Sequence, residues 1–352
     1  MVYRILRSHS LPPSLWDAFV TAQPAAHLLQ SSRWGTLKAQ FGWRVERVAL
    51  ERDGRIVAGG AQVMLRPLPW GQTLAYVPKG PLVDWNDAEQ VRPLLEAIAA
   101  VARRHRAVAL KIEPDLPDDP QLAARLAGYG FRPGHTVQPR STIVVDLTPE
   151  PRAILARMKS KWRYNVRLAA RKEVTVREGT EADLPAFQQL MEETGRRDDF
   201  AVHSGDYHAA AYRLFAPARQ AVWLLAEYES KLLAGIVVFG FGDKAWYFWG
   251  ASSGQHRNLM PNHALQWAAM CWARERGCRT YDLWGIPDQV GADPAAYEGP
   301  ENWGTGGLWG VYRFKRGFGG RVVRTIGAWD LVYSPVGYRL YRAAVALRQR
   351  VV

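Results

Sequence analysis

The chain states one pattern twice, and that repetition constrains its fold more than any single motif does. The first copy begins VERVALERDGRIVAGGAQVML, residues 45–65: a strand, a turn at Asp53-Gly54, then a second strand. LAYVPKGPLVD follows, then the helix-like EQVRPLLEAIAAVARRHR and the apolar VALKIEP, ending at Pro114. The second copy begins AVWLLAEYESKLLAGIVVFGFG, residues 221–242, with its turn near Glu229-Ser230. It continues through AWYFWGASSG, the helix-like NHALQWAAMCWARERG and YDLWGIP, ending at Pro287. Val57-Ala58-Gly59 answers Leu233-Ala234-Gly235, and the spacing between matching pieces is nearly constant. Each copy gives strand, strand, strand, helix, strand, so an α/β (α+β) class is predicted, with mixed sheets flanked by helices.

A duplicated unit fits the length, since 352 residues exceed one ordinary domain. The boundary is expected near STIVVDLTPEP, where a strand gives way to a helix start with Thr148 as its cap. The first domain then spans 1–147, rejoined by the amphipathic tail from about 328 to 352, and the second spans 148–327. Hydrophobic residues make up 48% and charged residues 22%, which excludes a disordered chain. No apolar run is long enough to span a bilayer, and the first residues lack the pattern of a signal peptide. Cys271 and Cys278 are read as reduced packing residues. A cytoplasmic location is expected. The net charge of +13 favours polyanionic partners without naming one. Fifteen tryptophans and 14 tyrosines serve burial first, and can also stack on bases or line a groove.

PRAILARMKSKWRYNVRLAARKEV, residues 151–174, is expected to be a single short basic helix with Leu155, Met158, Trp162 and Ala169 near one face. Lys159, Lys161, Arg163, Arg167 and Arg171 crowd the remainder, with no acid between Glu150 and Glu173 to form ion pairs along the helix. A solvated surface helix explains this, and so does a phosphate-backbone partner.

GASSGQHRNLMPNHALQW, residues 250–267, lies where acyl-CoA acyltransferases of the common acetyltransferase fold carry a Gly-rich pyrophosphate turn at a helix N-terminus. From Arg257 onward the chain offers Leu, Met, Pro and Asn where small residues are needed, which argues for a different acyl donor. GRRDDFAVHSGDYH, residues 195–208, follows a helix whose Leu184, Phe187, Leu190 and Met191 form a core face. Its Arg, Asp, Phe and Tyr residues are either plain surface charge or a ligand clamp containing Arg197 and Tyr207. No His/Cys cluster has metal-ligand spacing, and no phosphate loop or GxSxG elbow occurs, so neither metal nor cofactor is expected. In GVYRFKRGFGG, residues 310–320, Phe314 and Phe318 either pack in a core with Lys315 in water, or Phe314 fixes Lys315 in a cleft where charge develops.

MKSKWRYNVRLAARKEV, RRDDFAVHS, WGASSGQHRNLMPNHALQW, YDLWGIP and RFKRGFGG together resemble the FemABX family of peptidoglycan bridge-forming aminoacyltransferases. The resemblance runs from QSSRWGTLKAQFGW, residues 30–43, to residue 320. It implies two acetyltransferase-like (GNAT-like) units facing a substrate channel, in a compact form without the helical arm of some members. It implies transfer of an amino acid from aminoacyl-tRNA to the side-chain amine of the third stem-peptide residue, on UDP-MurNAc-pentapeptide or lipid II. Peripheral association with the inner membrane face would accompany a lipid II acceptor. By the same resemblance Lys315, buttressed by Phe314, steadies the intermediate, Lys38 holds the acceptor's diphosphate, and Arg197 binds phosphate. Tyr247 and Trp249 fall on the aromatic strand that lines the channel. A non-catalytic protein binding nucleic acid or cell-wall precursors is the alternative, and a coenzyme A-dependent acyltransferase stands third.

Overall fold

The computed structural model describes residues 3–52 and 55–351. Up to Arg140 the chain forms strands β1 (Arg4–Arg7), β2 (Arg44–Arg52), β3 (Arg55–Pro67), β4 (Thr73–Pro78), β5 (Leu82–Val83), β6 (Ala107–Glu113) and β7 (Arg132–Pro133). Its helices there are α1 (Pro13–Thr21), α2 (Ser32–Gln40), α3 (Ala88–Arg104) and α4 (Pro120–Gly128). Residues 141–324 add β8 (Ser141–Asp146), β9 (Thr175–Glu178), β10 (Ala221–Tyr228), β11 (Lys231–Phe241), β12 (Lys244–Ser252), β13 (Thr280–Gly285) and β14 (Arg321–Arg324). Their helices are α5 (Pro151–Arg157), α6 (Ser160–Arg171), α7 (Leu184–Asp198), α8 (Gly205–Phe215), α9 (Pro261–Glu275), α10 (Asp288–Ala292) and α11 (Leu308–Lys315). Strand β15 (Trp329–Val332) and helix α12 (Pro335–Val351) follow.

These elements divide into two units, one reaching Arg140 and resuming at Thr325, the other Ser141–Arg324. The first sheet runs β1-β2-β3-β4-β6-β15-β7, with β5 on β3; the second runs β14-β8-β13-β12-β11-β10-β9. The repeated pattern is visible in both: β2-β3-β4-β6 matches β10-β11-β12-β13, antiparallel until a parallel last pair. The Glu229-Ser230 turn has both residues at positive φ, 47° and 60°, as a two-residue hairpin requires. Its counterpart, Asp53-Gly54, lies outside the described residues.

Three expectations shift. Strand β8 precedes residue 147 yet pairs with β13 and β14, so it belongs to the second unit. Thr148 does not cap α5; its amide and hydroxyl donate to Asp146 Oδ1 at 3.0 and 2.7 Å, while Glu150 takes the N-cap position with Pro151 behind it. The basic segment is two helices, broken at extended Met158 and Lys159, because the Lys159 amide leaves the helical ladder to donate to the Gly317 carbonyl at 2.9 Å.

Each unit has its own core. In the first, Val91, Leu94, Ile98 and Val101 of α3 pack on Val48, Leu50, Val63 and Leu65 of the sheet. In the second, Leu265, Ala269, Met270 and Ala273 of α9 pack on Val222, Leu224, Ile236 and Val238.

Candidate active site

In the second unit, β12 and β13 pair in parallel only from Lys244–Thr280 to Trp246–Asp282. Beyond those residues they part, and a cavity of about 480 Å³ opens at their C-terminal ends. In the first unit the matching strands stay paired as far as Pro78 and Glu113, and Tyr76 donates its hydroxyl to the buried Glu113 carboxylate there. Crevices at the carboxyl ends of strands are the usual ligand sites of such sheets.

Two bulges shape the cavity. The β11–β12 register steps from Val237–Trp249 to Val238–Tyr247, which leaves Phe248 as the extra residue. Tyr247, Phe248 and Trp249 consequently all line the cavity, which a regular strand with alternating faces would forbid. The β13–β8 register jumps between Asp282 and Gly285, and Trp284 sits at φ 64°. Asp282 Oδ1 accepts the Trp284 amide at 2.7 Å, and the Trp284 ring stacks on Phe248 at 4.5 Å. The chain turned in this way presents the Gly285 carbonyl to Lys315.

Lys315 ends α11 with only 4% of its surface exposed. Its Nζ donates to the Gly285 oxygen at 2.8 Å and lies 5.6 Å from the Tyr247 ring centroid. Burial pushes its ammonium down to about 7, with the Asp282 carboxylate acting in the opposite direction. A buried lysine ammonium lowered in this way can stabilise a negative charge developing in the cavity or pass a proton. Phe314 lines the same cavity and packs edge-on against Phe318 at 5.0 Å and His263 at 5.2 Å. Phe318 is buried in the core, and Lys315 is buried beside the cavity rather than standing in water. Arg316, next along, packs on Trp303 at 4.6 Å and donates to the Glu298 carbonyl.

The other residues singled out by sequence fall in different places. Arg197 lines the cavity, but lies in the last turn of α7 rather than in a loop; Asp199, at φ 53°, ends that helix. Its guanidinium donates to both Asp198 oxygens at 3.0 and 2.9 Å and to the Ser252 carbonyl at 2.7 Å. Tyr207, on α8, packs behind the wall: it stacks on His203 at 4.1 Å and meets Trp249 edge-on at 5.9 Å. Lys159, Lys161, Arg167 and Arg171 are exposed along the α5–α6 segment, where Arg171 covers the exposed Tyr164 ring. Arg163 is turned inward, donating to the Ala156 and Met158 carbonyls that the helix break leaves without amide partners. Lys38 belongs to the first unit, on α2, where its ammonium and the Arg66 guanidinium share the Trp43 ring at 5.5 and 5.4 Å. Burial and then the Arg66 charge lower Lys38 to about 8.

At the expected coenzyme turn Met260 itself takes the left-handed conformation, φ 61°, that a glycine would supply, and Pro261 opens α9. Pro261 therefore offers no amide N–H at the helix N-terminus where a pyrophosphate would approach, and Met260 adds a side chain where a glycine would leave the backbone open. Asp282, Trp284, His203 and Gln266 were not singled out from sequence. Asp282 and Trp284 stand in the YDLWGIP motif, but only the bulge gives them their place. Among the described residues no group of three His, Cys, Asp or Glu is placed to hold a metal ion.

Paired α/β units with a cavity where two parallel strands splay define a tandem acetyltransferase-like protein. The sequence profile of the FemAB family matches residues 11–119, 120–232 and 218–345, and the chain belongs to that family. It is 28% identical to a lipid II:glycine glycyltransferase of Staphylococcus saprophyticus and 27% identical to one of Staphylococcus aureus, each alignment covering 92% of both chains. The crystal structure of FemX superposes with a TM-score of 0.83 at 24% identity, over 95% of this chain and 99% of that one. A tandem GNAT protein from the clavulanic acid biosynthesis pathway gives 0.56 at 13% identity, over 94% and 98%.

Proposed function

We propose that this chain transfers an amino acid from aminoacyl-tRNA to the side-chain amine of the third stem-peptide residue, on UDP-MurNAc-pentapeptide or lipid II, building the peptidoglycan bridge. The single observation that carries this is Lys315, a buried ammonium tuned to about 7 in a cavity that no coenzyme A turn serves. Among glycine, alanine and serine, glycine is favoured, because the relatives act with glycine on lipid II by name.

In the reaction the acceptor amine attacks the ester carbonyl, a C–N bond forms, and the carbonyl electrons move onto oxygen. That oxyanion collapses, the C–O bond to the ribose breaks, and the ribose hydroxyl takes up the proton shed by the amine. Lys315 holds its ammonium toward the developing oxyanion, with Phe314 fixing its backbone and Tyr247 and Trp249 walling the aminoacyl group. Arg197 would hold a phosphate by exchanging part of its Asp198 contact, and Lys38 would hold the acceptor's diphosphate. Lys159, Lys161, Arg167 and Arg171 would follow the tRNA backbone. The protein would work from the cytoplasm.

The test is a transfer assay with glycyl-, alanyl- and seryl-tRNA and each acceptor, read by mass. One added residue from one tRNA, lost in Lys315→Ala, is the expected result. Silence from all three tRNAs with both acceptors, while acceptor binding persists, would replace the enzyme by a precursor-binding protein.

A further inference from the structure

Helix α12 buries one face and leaves the opposite face apolar as well. Tyr338, Tyr341 and Val345 turn inward; Tyr338 is buried, packs with Leu74 and Ala109, and donates its hydroxyl to Asp330 at 2.5 Å. Val336, Leu340, Ala343 and Leu347 recur four, three and four residues apart and form a single stripe on the other side. Val336 is 68% exposed, Leu340 50% and Leu347 62%, where a solvent-facing helix stripe would ordinarily be polar.

A second apolar group stands beside this helix. Trp70, 76% exposed at φ 58°, tips the turn after β3. Its neighbour Leu68 packs in the cluster of Tyr338 and Tyr341, and Gln72 Oε1 lies 3.1 Å from where a Cβ on Gly337 would stand. The turn therefore abuts the first turns of α12. Charge around both features has one sign. Residues 335–352 carry four arginines and no acid. Arg339 and Arg342 are exposed beside the stripe, and Arg106 is exposed beside Gly71. The two acids that face the helix at Tyr341, Asp330 and Glu113, are both buried, Asp330 against Lys111 at 2.9 Å.

We infer that α12 and Trp70 form an interfacial docking surface for an anionic lipid bilayer. The stripe would enter the boundary between headgroups and acyl chains, the indole would sit at headgroup level, and the arginines would meet lipid phosphates. No helix among the described residues is long and apolar enough to cross a membrane, so the surface rests on the bilayer. Self-association through α12 is disfavoured, because two copies would oppose Arg339 and Arg342 with no acid between them. The inference deepens the proposed function, since an acceptor carried on lipid II lies at such a surface, but it is measured without any acceptor.

The full chain is sedimented with vesicles of phosphatidylcholine alone, and of phosphatidylcholine with phosphatidylglycerol, at low and high salt. Binding to the anionic vesicles, weakened by salt, is expected. It should fall about tenfold or more in Leu340→Gln/Leu347→Gln and less in Arg339→Gln/Arg342→Gln. Circular dichroism confirms folding, and transfer to the soluble acceptor UDP-MurNAc-pentapeptide should be unchanged in these variants. No anionic binding, or binding equal in the leucine variant, overturns the inference. So does a dimer of the wild type that the leucine variant dissolves while vesicles are ignored. If the wild type binds vesicles yet transfers nothing to any acceptor, the proposed function fails and the docking surface stands.

Discussion

The indole of Trp162 fills the space that a side chain at residue 317 would need: a Cβ on Gly317 would stand 2.0 Å from Trp162 Cε2. The same indole donates to the Phe314 carbonyl at 2.9 Å, and the Lys159 amide donates to the Gly317 carbonyl at 2.9 Å. The break between α5 and α6 thus clasps the segment that carries Lys315.

Gly317→Ala should therefore loosen the clasp. Overpacking of this kind costs roughly 1–3 kcal/mol, and the shifted segment should lose more activity than stability. Urea unfolding and transfer rate of the purified variant check both. In a Trp162→Ala background the penalty of Gly317→Ala should shrink, because the clash partner is gone. Equal penalties in both backgrounds would mean that the contact is relieved some other way.

Lys315 gives a pH dependence whose sign can be worked out. Its folded value, about 7, lies below the ordinary 10.5. Between those values the unfolded chain binds more protons, so this group's burial cost is full below pH 7 and fades as pH rises towards 10.5. Lys315→Met should raise stability at pH 6, on the order of 2 kcal/mol after the orphaned Gly285 carbonyl is counted. The gain should shrink at pH 9. Activity should fall about 100-fold or more in the same variant. If the cation is the working form, wild-type kcat/KM declines as pH passes 7; a rise instead would assign Lys315 the part of base.

How far the sequence went can be judged from these residues. The repeat, the hairpin turn at Glu229-Ser230 and the core faces of α7 and α9 follow from local spacing, which the fold preserves. The family resemblance points to Lys315, Phe314, Tyr247, Trp249 and Arg197, and all five line one cavity. The bulge at Phe248 and the turn at Trp284 carry no local signal, because each exists only where two strands pair unevenly. The break at Met158 was equally hidden. Its residues contain neither Gly nor Pro, and a hydrogen bond to residue 317 creates it.

Acid should weaken the shell around the site. Burial lowers His208 and His263 to about 4 each, with the neighbouring His203 and Lys161 charges adding to the effect. His263 meets Trp162, Phe314 and Phe318, and its Nε2 lies 3.1 Å from Asn165 Nδ2; His208 faces Trp249 and Gln188. Both folded values lie below 6.5, so the unfolded chain binds the extra protons as pH falls from about 6.5 to about 4, and stability falls with it. Each should contribute on the order of 2–3 kcal/mol to that loss. Unfolding followed from pH 7 to 4.5 should show a flatter decline in His263→Asn and in His208→Gln. An unchanged slope would place the acid sensitivity elsewhere.

The first unit rests on a buried ion pair. Lys111 Nζ and Asp330 Oδ1 stand 2.9 Å apart on adjacent strands β6 and β15, with Lys111 also donating to the His135 carbonyl at 2.7 Å. Tyr338 donates to the other Asp330 oxygen. Removing one charge strands the other in the core, so Asp330→Asn and Lys111→Met should each cost about 3–5 kcal/mol. Replacing both, Lys111→Met with Asp330→Leu, should cost much less than the sum, because no unpaired charge remains. Gly134 belongs to this arrangement: a Cβ there would stand 2.3 Å from Asp330 Oδ2 and 2.9 Å from Lys111 Nζ. Gly134→Ala should therefore approach the cost of a broken pair in the wild type and become mild in the double replacement. Denaturant midpoints of these five proteins and the wild type decide the matter, and additive penalties would show that the pair is not what Gly134 protects.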